Sequence, residues 1–283
     1  MSVQGATLQT VRVGRMSLGS YIGAMWRYRH LMMHLASADL QSRFRRSSLG
    51  VVWAMIHPLA FTVLYSFVLA NLFKQEFKDF SIYVFSGFIL WDAIASFVNL
   101  GAMSIISGAG YLKQAPIPML IFPLRTCLTV SVVFLLGLVA FFLYRTGMIV
   151  FFDVDQPIAT IYWLWIIPVV AALFTLGSAW ATIVAFINLK YRDAQQMLLI
   201  LMQALWFASP VFFAREIFDS PNLQLWTAIN PVLAFCDVFR DPVLLSRPPE
   251  VRDWIVIGAW TAGSWFLAIM MTVINDRKSI HYV

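Results

Sequence analysis

Four aromatic and two polar side chains stand out in the apolar runs of this sequence: Phe61, Tyr65, Asp92, Gln203, Trp206 and Phe213. Gln196, Leu199, Gln203, Trp206, Pro210 and Phe213 recur at steps of three and four, which places them on one face of a helix. An amide such as Gln203 deep in hydrocarbon costs ~1–3 kcal/mol unless bonded, so that face is expected to meet water, protein or a polar substrate rather than lipid. Amides beside rings suit sugars. A pyranose offers its C–H faces to rings and its hydroxyls to amides, and weak repeated contacts let a polymer slide. Phe61 and Tyr65, one helical turn apart, are assigned to the same lining. Asp92 lies within an apolar run, where a carboxylate is expensive: it is expected either to bond a neighbour, on the side of Trp91 or through water, or to line and gate a channel.

Other chemistries are absent from the sequence. No Gly-Lys dipeptide occurs, so the Gly-rich loop and lysine that cradle nucleotide phosphates are missing and the chain is not expected to hydrolyse ATP alone. His30, His34, His57 and His281 stand in different contexts, and neither they nor the two cysteines have metal-ligand spacing. No Gly-x-Ser-x-Gly elbow appears. We expect no catalytic residues, no metal and no cofactor in this chain. Cys127 falls in an apolar run and Cys236 in a segment on the far side, so a bridge between them is not expected.

The elements that must position these residues follow from composition. A chain of 283 residues that is 60% hydrophobic and 12% charged does not present an ordinary soluble surface. Its long apolar runs approach or exceed the roughly 20 residues needed to cross a bilayer. The expected fold is an all-α membrane protein with six transmembrane helices at about 51–73, 82–106, 121–144, 158–187, 197–214 and 254–274. Residues 1–50 form a preceding segment, 51–275 the membrane unit and 276–283 a tail. Between the last two spans, residues 215–253 contain an apolar stretch broken by Pro231 and too short to cross, which suits short re-entrant or interfacial helices. Before the first span, Tyr28, Leu31, Met32 and Leu35 recur at helical spacing while Arg27, Arg29, His30 and His34 take other faces, the pattern of an amphipathic helix at the interface. Arg43, Arg45 and Arg46 are expected to anchor the entry to the first span among inner-leaflet head groups.

Six spans put both termini on one side. With that side inside, basic residues divide 13 to 7 in its favour, while ten carboxylates fall in the outer loops. Retention of Lys and Arg in the cytoplasm then makes both termini cytoplasmic. The net charge of +6 is therefore read as topology, and no nucleic-acid partner is expected.

Several short runs, in order, carry a family likeness. Asp39 to Gly50 (DLQSRFRRSSLG) followed by Trp53 and Pro58 resembles the entry to span one of ABC-2 type permeases that export polysaccharides. Tyr111 to Pro118 (YLKQAPIP) and Asn188 to Gln196 (NLKYRDAQQ) look like that family's two cytoplasmic loops. Ser209-Pro210-Val211, Asn230-Pro231 and Phe239-Arg240-Asp241 follow. The resemblance covers residues from about 30 to 280. It implies the homodimeric membrane subunit of an O-antigen, capsule or teichoic-acid type exporter in the bacterial inner membrane. It further implies a channel between protomers, a lipid-linked polysaccharide as cargo, and two separate ATPase subunits that bind ATP and Mg. Tyr111, Leu112 and Lys113 would form the coupling helix against the ATPase. At position 119, where many relatives carry a basic residue, this chain has methionine. Two other readings remain open at this level: an ABC-2 permease for drugs or small lipids, and a membrane glycosyl or acyl transferase.

Overall fold

The computed structural model describes residues 18–275 apart from Arg46 and Pro116. The expected tail at 276–283 and the anchor position Arg46 lie outside the described residues. Among the described residues eleven α-helices follow one another: α1 (Leu18–Arg27), α2 (Arg29–Phe44), α3 (Trp53–Phe73), α4 (Phe77–Ser107), α5 (Ala109–Leu112), α6 (Ile121–Phe152), α7 (Ile166–Lys190), α8 (Ala194–Phe207), α9 (Gln224–Ile229), α10 (Pro231–Val243) and α11 (Val251–Asn275). Short 3-10 turns occupy the gaps, and no strand occurs among the described residues.

Among the described residues five helices are long and apolar enough to cross a membrane: α3, α4, α6, α7 and α11. The expected fifth span differs. It does not run as a helix to residue 214, because α8 has 14 residues and stops at Phe207, where Ala208 caps it. The sequence stays apolar beyond that point, but Ser209-Pro210 cannot continue an α-helix without losing backbone bonds. The expected fourth span begins late as well, its first turns being a 3-10 helix at Ile161–Trp165. Helix ends elsewhere have local causes. Lys74 takes a left-handed conformation at φ 55° and gives its amide to Ala70, closing α3 before the turn into α4.

Helix α4 is the axis of the bundle, buried along most of its length and packed by α3, α6, α7, α8 and α10. It approaches α7 closely, since a Cβ at Gly101 would lie 2.6 Å from the Ala181 Cα. Against this axis α3 turns Ala54, Pro58, Thr62, Ser66 and Ala70, a stripe of small residues at steps of four. Cys127 and Cys236 are both free and buried, and burial pushes the Cys236 thiol up to about 11, which leaves it unreactive.

Around α2 the apolar residues of the expected amphipathic pattern face the bundle. Leu35 is buried with Ile105, Ile117, Met119, Phe122 and Phe186, and Tyr28, Leu31 and Met32 pack on that cluster. Arg125 of α6 ties α2 to the bundle: it pairs with Asp39 at 3.4 Å and donates to Ser107 Oγ at 3.0 Å. Met119 is 3% exposed in the middle of this layer. A basic residue here would face apolar side chains of this chain. Met119→Arg is accordingly expected to bury an unpaired charge and to lower the recovery of folded protein, at a cost of several kcal/mol. A thermal melt in detergent reads this directly, and an unchanged midpoint would contradict the packing.

Candidate functional site

Helix α3 carries a second stripe, His57, Phe61, Tyr65, Leu69 and Phe73, again at steps of four. Its rings make a chain. His57 and Phe61 lie 4.7 Å apart between centroids, Phe61 and Tyr65 5.9 Å, and Phe61 stacks on Phe88 of α4 at 5.8 Å. Trp206 of α8 closes the cluster, touching Tyr65 at 6.4 Å, Phe88 at 5.8 Å, Trp91 at 5.3 Å and Phe212 at 5.8 Å. Phe213 joins through Phe212 at 4.3 Å and meets Phe73 at 6.3 Å. The structure therefore gathers four expected residues, Phe61, Tyr65, Trp206 and Phe213. Gln203 stands one turn before Trp206, exposed, with no hydrogen bond among the described residues. Phe88, Trp91 and Phe212 belong to the cluster but were not anticipated.

Asp92 is not part of this ring cluster. It lines a separate pocket of about 230 Å³ with Arg43, Ser47, Trp53 and His57. One residue after Trp91 on a helix is about 100° further round, so Trp91 faces α8 while Asp92 faces the junction of α2 and α3. Its polar neighbours are Arg43 and His57, not a partner beside Trp91. His57 borders both regions, because its ring packs on Phe61 as well. The polar pocket at the end of α2 thus adjoins a ring cluster in which Phe61 is exposed, Tyr65, Trp206 and Phe213 are half-buried, and Phe88, Trp91 and Phe212 are buried. Arg43 and Arg45 are exposed there.

The turn after α8 is irregular backbone in a dry place: Ser209, Pro210, Val211 and Phe212 are all buried. Its carbonyls must find donors. Ala208 O accepts from Trp226 Nε1 at 2.6 Å and Asn230 Nδ2 at 3.2 Å. Pro210 O accepts from Arg240 Nη1 at 2.7 Å, and Val211 O from Arg240 Nη2 at 2.9 Å. Phe213 O accepts from Tyr83 Oη at 2.9 Å. Asn230 also donates to Ser209 Oγ at 3.0 Å and caps α10 by accepting from the Val232 and Leu233 amides. Three motifs far apart in sequence, Ser209-Pro210-Val211, Asn230-Pro231 and Arg240, thus form one network. The sequence signal was the Pro and Asn punctuation, but nothing local reveals that the three meet. Nearby, Arg215 binds both Asp219 and Asp237, and burial raises the Asp237 carboxyl against the pull of that guanidinium.

At the opposite end, Tyr111 and Lys113 are exposed, while Leu112 packs into the layer beneath α2. A pocket of about 310 Å³ lies between the two loops, bounded by Met103, Ala109, Asn188, Arg192 and Gln195. Asn188 spans it structurally, donating to Ala102 O at 2.9 Å.

A multi-pass helical membrane protein with a polar pocket beside a ring cluster and exposed loops at one end has the build of a transporter's membrane component. The ABC-2 type transporter model matches residues 30–244, and the chain belongs to that family. It is a membrane transport subunit rather than an enzyme. It is similar to an O-antigen export system permease protein RfbA of Klebsiella pneumoniae, 24% identical over 217 residues, covering 75% of this chain and 79% of that one. A protein of the same name from Myxococcus xanthus is 24% identical over 256 residues, 86% of this chain and 93% of the other.

Proposed function

We propose that this chain is the permease subunit of an ABC exporter for a lipid-linked polysaccharide, working as a homodimer in the bacterial inner membrane with two separate ATPase subunits. ATP and Mg belong to those partners. The observation that carries the reading is the ring cluster joining α3 to α8, which turns Phe61 outward, with the Gln203 amide exposed one turn before Trp206. Rings for sugar faces and an amide for hydroxyls suit a sliding glycan better than a compact apolar drug. The names of the relatives point to the same cargo class.

In this reading the chain crosses six times. Helix α8 starts beside Met103 of α4, and its terminal turn is bonded to Tyr83. At ~1.5 Å per residue that stretch of α4 is about 30 Å long, the thickness of a hydrocarbon core. A short helix completed by a turn thus supplies the remaining crossing. Both termini are then cytoplasmic by the distribution of basic residues. The exposed Tyr111 and Lys113, with Leu112 beneath them, dock on the ATPase, and α2 lies at the inner leaflet with Arg43, Arg45 and Arg46.

Phe61→Ala combined with Gln203→Ala changes two exposed positions and is expected to leave folding intact. Polymer reaching the cell surface should fall roughly three- to tenfold, the loss of ~1 kcal/mol of contact. Normal export by this variant at normal abundance would remove the ring cluster as the path.

A further inference from the structure

The polar side chains near the end of α2 converge on one place without bonding one another. Arg43, Ser47, His57 and Asp92 line the pocket of about 230 Å³, yet none of these side chains makes a hydrogen bond or an ion pair among the described residues. Elsewhere in the bundle such groups are matched: Arg125 has Asp39 and Ser107, and Arg240 has four acceptors. A carboxyl midway along an apolar helix is costly, and an unmatched one points to a function. The pocket also has a built shape. Ala54, Pro58 and Val133 are buried and give it an apolar floor, Asp92 is half-buried beside them, and Arg43, Trp53 and His57 are exposed at its rim. Its size suits one small ring, being below the ~300–1,000 Å³ of sites that hold drug-sized ligands. Its chemistry suits a sugar. Asp92 offers two acceptors to adjacent hydroxyls, Arg43 donates to the oxygens that remain, and the Trp53 ring can cover a C–H face. A phosphate fits less well, because it would lie beside a carboxyl that no cation is paired with. The rim continues into the ring cluster, since His57 lies 4.7 Å from the exposed Phe61 between centroids. One sugar seated in the pocket would therefore place the next unit of a chain beside Phe61.

We propose that this pocket is a binding site for a single sugar and that Asp92 sets its specificity, accepting hydrogen bonds from two adjacent free hydroxyls of one unit of the glycan. The inference rests on the cargo being a polysaccharide. It separates two tasks. Rings grip any pyranose face, whereas a site built around two acceptors rejects a unit whose hydroxyls are missing or blocked, because the acceptors are then left unpaired.

The test is saturation-transfer NMR on the purified exporter in lipid nanodiscs without ATP, with the methyl glycosides of glucose, galactose, mannose, rhamnose and N-acetylglucosamine supplied singly. At least one is expected to bind in the millimolar range, and its fully O-methylated counterpart, which keeps the ring faces and loses the hydroxyl donors, is expected not to bind. Asp92→Asn should weaken the bound glycoside about tenfold without lowering the melting midpoint, because the amide keeps one acceptor and removes a carboxyl from an apolar helix. A merely structural Asp92 would move the midpoint and leave the glycoside unaffected. Binding by none of the five, equal binding of the O-methylated form, or an affinity unchanged in Asp92→Asn overturns the proposal. Displacement of the glycoside by inorganic pyrophosphate also overturns it, by marking an anion site. Should Asp92→Asn fail to accumulate, Trp53→Ala changes an exposed position and must weaken the same glycoside; unchanged binding there overturns the site. If no glycoside binds while Phe61→Ala with Gln203→Ala still loses export, the pocket alone fails. If none binds and that pair exports normally, the path reading fails with it.

Discussion

Gly87→Ala is expected to prevent the chain from accumulating in folded form, whereas Gly137→Ala leaves it unaffected. A Cβ at Gly87 would lie 2.2 Å from Val211 O and 2.5 Å from Arg240 Nη2. Neither atom has room to yield. Val211 O belongs to a buried turn whose position is set by the same guanidinium, and Arg240 is committed to four acceptors. A flexible side-chain tip would swing aside at little cost; here a backbone carbonyl and its donor must both shift, and each shift loosens a bond to a buried oxygen. Overpacking of this kind costs about 3 kcal/mol before those bonds are counted. Against a total of about 5–15 kcal/mol for a typical domain, that term alone lowers the folded-to-unfolded ratio by about two orders of magnitude, and the loosened bonds lower it further. At Gly137 the nearest atom is 3.8 Å away, so the methyl group fits, and alanine favours the helix by ~1 kcal/mol. Paired melts of the two variants in detergent check this, and equal midpoints would mean the turn does not sit on α4 as described.

Trp206→Ala should detach α8 from the bundle. Only Ala194 and Met202 of this helix are buried, and much of the rest, including Met197 and Ile200, is exposed. Trp206 alone makes ring contacts with α3, with α4 twice, and with the turn. Large aromatic truncations cost ~3–5 kcal/mol, and here the loss falls on an element with few other attachments. We expect export to cease and a cysteine introduced at Gln203 to lose its defined environment, seen as a mobile spin-label spectrum. Trp206→Phe keeps most of the ring contacts and should restore both. A rigid label at Gln203 in Trp206→Ala would show that α8 is held by something else.

The long crossings were legible because their apolar runs end where their helices end, at Lys74, at the Gly108 loop or at Lys190. Helix α8 was not, because apolar residues continue through Val211, Phe212 and Phe213 after the helix has stopped. Phe213 was therefore placed beside Trp206 by a helical periodicity that does not reach it; the turn brings it there instead. Of the stripe from His57 to Phe73, the spacing of four gave Phe61 and Tyr65, and the same step reaches His57, Leu69 and Phe73. Asp92 was correctly singled out as costly, yet its neighbours Arg43 and His57 come from α2 and α3, and no local pattern predicts that meeting. Arg240 lay in a segment that composition describes as re-entrant or interfacial, and α10 is buried along nearly its whole length. Burial of that cation depends on acceptors 29 to 157 residues away in sequence, which no window along the chain contains.

The network around the turn also dictates an order of assembly. Helix α8 is made before the residues that fix its end: Pro210 leaves the ribosome 30 residues ahead of Arg240, and Ala208 leaves 22 ahead of Asn230. During synthesis the bare carbonyls of residues 208–213 have only Tyr83 from the finished part of the chain. Helix α4 must hold a vacant site beside Gly87 until α10 arrives, so a nascent chain arrested before residue 240 would carry an unset hairpin, open to quality-control proteases, and one arrested shortly after would not.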